Sequence, residues 1–187
     1  MKKTIVFITA LIGVVFSVNA ADQSENGVFT SPLTTYSAGL SVGGLAALNQ
    51  ELRDESKNFL EVSFVNSVRF RDRVNVFFDI NWFAPGLNFG GNVGIDYLLS
   101  KSDVKPFIGA GIGATHFDKN DEFDDNIGPS ATVHAGCILE LNESVQLRFR
   151  VPYTVVVNHD RDQYAGVEIG LLFSDKFKRV KKLEYNR

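Results

Sequence analysis

Apolar and polar residues alternate along this chain from Tyr36 to Phe173, in runs of about ten positions. In the sharpest run Val74, Val76, Phe78, Ile80 and Trp82 share one side, and Asn75, Asp79 and Asn81 share the other, with Phe77 as the exception. A period of two belongs to a β-strand with one apolar and one polar face. At this length it predicts strands that cross a membrane.

Eight strands are predicted in this way. The first sets Tyr36, Ala38, Leu40 and Val42 against Ser37, Gly39, Ser41 and Gly43. The second sets Leu60, Val62, Phe64, Val68 and Phe70 against Glu61, Ser63, Ser67 and Arg69; Asn66 interrupts its apolar side and predicts a bulge. The third is the run from Val74 to Trp82. The fourth opposes Leu87, Phe89, Val93, Ile95, Tyr97 and Leu99 to Asn88, Gly90, Asn92, Gly94 and Asp96. The fifth, Lys105 to Ala114, opposes Ile108, Ala110, Ile112 and Ala114 to Gly109, Gly111 and Gly113, too much glycine for a helix. The sixth opposes Ala131, Val133, Ala135, Cys137 and Leu139 to Ser130, Thr132, His134, Gly136 and Glu140. The seventh opposes Val145, Leu147, Phe149, Val151 and Tyr153 to Gln146, Arg148 and Arg150, and the last opposes Ala165, Val167, Ile169, Leu171 and Phe173 to Tyr164, Gly166, Glu168 and Gly170.

The connections alternate in length. Arg71-Asp72, Ser100 to Asp103 and Asn142 to Ser144 are tight, whereas Leu45 to Lys57, Asp118 to Asn126 and Asn158 to Asp162 are longer, with Ala84-Pro85-Gly86 as a short exception. Tight turns on one rim and longer loops on the other are the arrangement of an outer-membrane barrel.

Alternation alone leaves open which face points inward, because a soluble lipocalin-like barrel has the same period with apolar residues inside. The polar face carries Glu61, Arg69, Asp79, Asp96, Lys105, Glu140, Arg148, Arg150 and Glu168 among many glycines. Charges of both signs can pair across the narrow interior of an eight-stranded barrel while glycines make room for them. The predicted apolar face therefore meets lipid.

The chain's start and charge agree with export. Residues 1–20 carry Lys2 and Lys3, an apolar stretch from Ile5 to Phe16 and the small-residue end Val18-Asn19-Ala20, which reads as a cleaved signal peptide. Its removal takes the basic residues from 19 to 17 against 22 acids, a balance without general nucleic-acid character. The single cysteine, Cys137, excludes an internal disulfide.

On these residues the chain resembles the small outer-membrane barrels of the OmpA transmembrane-domain and OmpX type, over essentially the whole sequence after the leader. Lys105 to Ala114 and the segment Tyr-Ala-Gly-Val-Glu-Ile-Gly-Leu-Leu-Phe at 164–173 carry the resemblance. It implies an all-β, eight-stranded antiparallel up-and-down transmembrane β-barrel over residues 21–173, in contact with outer-membrane lipid and lipopolysaccharide. It also implies that Phe173 is the closing-strand aromatic recognised by the barrel-assembly machinery. The sequence departs from the family pattern in a basic tail, 174–187, and in Pro152, which removes a donor inside strand seven and predicts a second bulge.

Some barrels of this size modify lipid A, and such chemistry requires a nucleophile, a base and an orienting acid on neighbouring strands. The resemblance to a deacylase would require His-x-Ser, but the chain offers His116-Phe-Asp118 and His134-Ala-Gly136. His134 therefore reads as an interior histidine, His116 as a strand-end residue and His159 as part of a hydrated turn. Asp118, Asp121, Glu122, Asp124 and Asp125 concentrate acid in one loop, with neither the glycine nor the final glutamate of an EF-hand. That loop reads as solvated; weak divalent bridging to lipopolysaccharide phosphates is the alternative. The tail's Lys176, Lys178, Arg179, Lys181, Lys182 and Arg187 read as a soluble extension, with attraction to anionic envelope polymers as its alternative.

The sequence thus predicts a non-enzymatic outer-membrane barrel, without cofactor or metal, acting in envelope integrity or surface interaction through its loops. Its rivals are an outer-membrane lipid-modifying enzyme and a soluble periplasmic ligand-binding barrel.

Overall fold

The computed structural model describes residues 33–70, 73–118 and 127–176. Eight strands form β1 (Leu33–Ala47), β2 (Asn58–Phe70), β3 (Val74–Ala84), β4 (Asn88–Leu98), β5 (Val104–His116), β6 (Ile127–Glu140), β7 (Val145–Val156) and β8 (Gln163–Lys176). Each strand pairs with the next, and β8 returns to β1 to close an up-and-down antiparallel barrel. A helix of one and a half turns, α1 (Gln50–Glu55), lies between β1 and β2. The predicted leader, the turn residues Arg71 and Asp72, the loop acids Asp121, Glu122, Asp124 and Asp125, and the tail beyond residue 176 lie outside the described residues.

Side-chain exposure decides the orientation of the two faces. Leu40 is 60 % exposed, Trp82 54 % and Ile112 69 %, whereas Asp79 and Asp96 are fully enclosed. The apolar set therefore faces outward and the charged set inward, the reverse of a soluble ligand-binding barrel. Closure leaves no strand with a free edge, so each strand's backbone pairs with a neighbour on both sides.

Neither predicted bulge forms. Asn66 stays in register between Ala38 on β1 and Phe78 on β3, and the Tyr36 hydroxyl donates to its Oδ1 at 2.8 Å. A polar residue on the outward face is thus satisfied by a side-chain neighbour, not by a shift of the strand. Pro152 also keeps register opposite His134, while the pairing of β7 with β8 is interrupted between Arg150–Glu168 and Tyr153–Ala165 and resumes unshifted. The missing donor removes contacts locally without inserting a residue. An irregularity does occur in β1, between Leu33 and Thr35.

Two other boundaries differ from expectation. β1 continues to Ala47, so Leu45 and Ala47 are strand residues that turn inward, and the remaining connection holds α1. β8 continues to Lys176, three residues past Phe173, because β1 still offers partners there: Tyr36 faces Asp175 and Thr35 faces Lys176.

The interior is closed by apolar side chains at both ends. At the loop end Leu45, Ala47, Leu52, Phe59, Phe83, Phe117, Val156 and Tyr164 form one buried cluster; at the turn end Leu98, Phe107 and Ile138 form a second. Leu52 enters the first from α1, which is anchored where Arg53 Nε donates to the Ala47 carbonyl at 3.0 Å. The Leu48 and Gln163 amides fix the same corner by donating to Gln163 O and Asn49 Oδ1.

Candidate functional site: the charged interior

Strand tilt, which closure requires, distributes the inward residues along oblique rows. One row of directly opposed residues runs from Phe83 in the loop-end cap through Glu61, Gly43, Glu168, Arg150, Gly136 and Phe107 to Leu98 in the turn-end cap. Charges far apart in sequence therefore become neighbours, in three groups.

Nearest the turns, Glu140 receives Arg69 at 2.7 Å and Lys105 at 3.0 Å. In the middle, Asp96 is enclosed by His134 Nε2 at 2.7 Å, Arg148 at 3.1 Å and the Asn75 carboxamide at 3.0 Å. The Arg148 guanidinium also lies 5.3 Å from the ring centroids of both Phe77 and Phe107, so aromatic faces replace part of its hydration. Nearer the loops, Arg150 reaches Asp79 at 2.8 Å and Glu168 at 2.8 Å, and Asn92 donates to the second oxygen of Asp79 at 3.0 Å. Glu61 accepts from Ser63 at 2.9 Å.

Glycine makes these contacts sterically allowed. In a neighbouring row Gly109 lies between Asp96 and His134, and a Cβ there would come within 2.7 Å of Asp96 Oδ1 and collide with His134 Nε2. Gly94 leaves the space that Phe77 fills: a Cβ would sit 2.5 Å from the ring. Phe77 is thus a lumen side chain that packs beneath two guanidiniums, which explains its departure from the alternation.

All nine charged residues predicted for the interior face it: Glu61, Arg69, Asp79, Asp96, Lys105, Glu140, Arg148, Arg150 and Glu168. Asp118 is exposed at the loop rim, where its amide donates to Asn88 Oδ1. Phe173 points outward, 62 % exposed, between Ala38 and Val145. His116 packs against Phe89 with ring centroids 5.0 Å apart. Reasoning from sequence put Asn75, Asn92 and Ser63 on the polar face without assigning them charged partners, and it missed the apolar caps. The signals were present in Leu52, lone among charges, and in Phe83, which follows Trp82 and must face the other way.

His134 Nε2 is committed to Asp96, and its Nδ1 meets no hydroxyl, so the pair lacks a nucleophile. Among the described residues no three or more histidine, cysteine and carboxylate side chains come together to hold a metal ion.

Outward apolar strands around a filled, charged interior define a closed eight-stranded barrel of the outer-membrane type. Solved structures with this fold include Neisserial surface protein A, 15 % identical, with 75 % of this chain and 96 % of that one aligned at a TM-score of 0.53. OprG from Pseudomonas aeruginosa aligns over 78 % and 97 % at 12 % identity and a TM-score of 0.48. The outer membrane enzyme PagL aligns over 74 % and 99 % at 13 % identity and a TM-score of 0.45. At such identities the likeness concerns the fold. No protein-family model matches the chain, and no curated protein sequence matches it.

Proposed function

We propose that this chain is an outer-membrane barrel that acts without catalysis, in envelope integrity or in surface interaction through its loops. The observation that carries this reading is the outward apolar belt around an interior filled by paired charges and capped at both ends. Lipid and lipopolysaccharide contact the belt, and the loop rim faces outward from the cell. The outward Phe173 on β8, the strand that closes against β1, is the feature offered to the barrel-assembly machinery. Eight strands leave little room beyond their own side chains, which argues against a diffusion pore.

The enzymatic rival is disfavoured by the burial of the Asp96–His134 pair, which no lipid on the barrel's outside reaches. Two measurements test the proposal together. Envelope fractionation should place the protein in the outer membrane, with different gel mobility before and after boiling, and mass spectrometry of lipid A from expressing cells should show no change. A soluble protein, or altered lipid A, would overturn it.

A further inference from the structure

The row geometry that builds the Asp96–Gly109–His134 contact recurs one layer nearer the loops with a different outcome. Gly43 lies between Glu61 on β2 and Glu168 on β8, and Glu168 leans over it: a Cβ on Gly43 would come 2.7 Å from Glu168 Cγ. Across Gly109 the construction joins an acid to a base. Across Gly43 it turns two carboxylates toward each other.

The charges around this point do not balance. Glu61, Asp79 and Glu168 share one guanidinium, that of Arg150, which bonds Asp79 and meets Glu168 only at Oε2. Glu61 is 2 % exposed, and its Oε2 has no partner. A second orphan lies on the neighbouring strand: Asn81 is 3 % exposed, its Oδ1 is unpartnered, and its β2 partner Ser63 bonds Glu61. Both residues line one small cavity of about 10 Å³, together with Glu168, Arg150, Tyr164 and the hydroxyl-bearing Thr132 and Thr154.

Uncompensated charge in a low-dielectric interior is costly, and an orphaned acceptor adds to the cost. A single guest that satisfies both acceptors and offsets the negative charge is a cation. The cavity has room for one water-sized particle, and oxygen donors suit a hard ion. We propose that this cavity is a site for one sodium-sized monovalent cation, held chiefly by Glu61 Oε2 and Asn81 Oδ1, with Glu168 supplying further negative charge. The site concerns the barrel's interior and is independent of what the loops contact.

Because the interior is capped, the ion enters during folding. The test is to refold the protein from urea into detergent micelles in sodium chloride or choline chloride at equal ionic strength, and to follow its thermal unfolding. A specifically bound ion raises the midpoint with its concentration. The wild type is expected to unfold at a higher temperature in sodium, with the shift growing as sodium rises. Glu61→Gln, which removes the charge but keeps the shape, is expected to unfold at the same temperature in both salts.

Equal wild-type midpoints in the two salts would overturn the proposal and leave a water in the cavity. A midpoint that rises on acidification by the same amount in both salts would also overturn it, assigning the compensating charge to a proton. A sodium response retained in Glu61→Gln would remove Glu61 from the site. The wild-type comparison stands even if the variant fails to fold.

Discussion

Arg150 ties two strands of the interior together at once, bonding Asp79 on β3 and Glu168 on β8. Replacing it with methionine keeps much of the side chain's bulk but leaves both carboxylates enclosed without their cation. Breaking a buried pair from one side costs about 3–5 kcal/mol, so Arg150→Met is expected to lower the urea midpoint of the folded barrel by that amount of stability. A midpoint within experimental error of the wild type would show that Asp79 and Glu168 do not depend on Arg150. That Arg150 faces inward is legible in the sequence, because a period of two assigns every residue of β7 to a face. Its partners are not legible, because they are set by an oblique row crossing several strands, and no single strand encodes the stagger. Asn66 illustrates the same limit: its break in pattern reads as a bulge until Tyr36, from the neighbouring strand, is seen to satisfy it.

At the scale of elements, the loop-end cap is what one-strand reasoning fails to supply. The β1–β2 connection reads as one of the longer loops, yet it contains α1, whose Leu52 is fully buried in a cluster that draws on five strands. The helix is too short to be stable alone and lacks a side-chain N-cap, so burial of Leu52 and the ties to Ala47 and Gln163 hold it. Leu52→Ala is therefore expected to lose about 2–5 kcal/mol, the range for truncating a buried leucine, measured by urea unfolding in lipid vesicles. A loss below about 1 kcal/mol would mean that the cap collapses around the gap or that α1 is not seated. Strands with a clear alternation, β3 despite Phe77 and β4 above all, were readable almost to their ends. Leu45 and Ala47 were not, because a residue that turns inward to cap the barrel carries the same apolar signature as a loop's chance hydrophobe.

For the whole molecule, orientation is the property on which everything else rests. Turned one way, the apolar faces form a lipid-facing belt and the charges pair inside; turned the other way, the same alternation makes a soluble binding barrel. Composition decided this in advance, since glycines beside charges of both signs are needed inside a narrow barrel and serve little purpose on a wet surface. The chain carries one tryptophan, Trp82, which lies on the outward face of β3 near the loop end and is 54 % exposed. Its fluorescence reports on that face alone. With the protein folded into vesicles containing brominated lipids, Trp82 emission is expected to be quenched strongly, more so by bromines near the headgroups than by those at the bilayer centre. Emission unaffected by bromine at any depth would contradict an outward apolar belt, and with it the membrane-spanning account of this barrel.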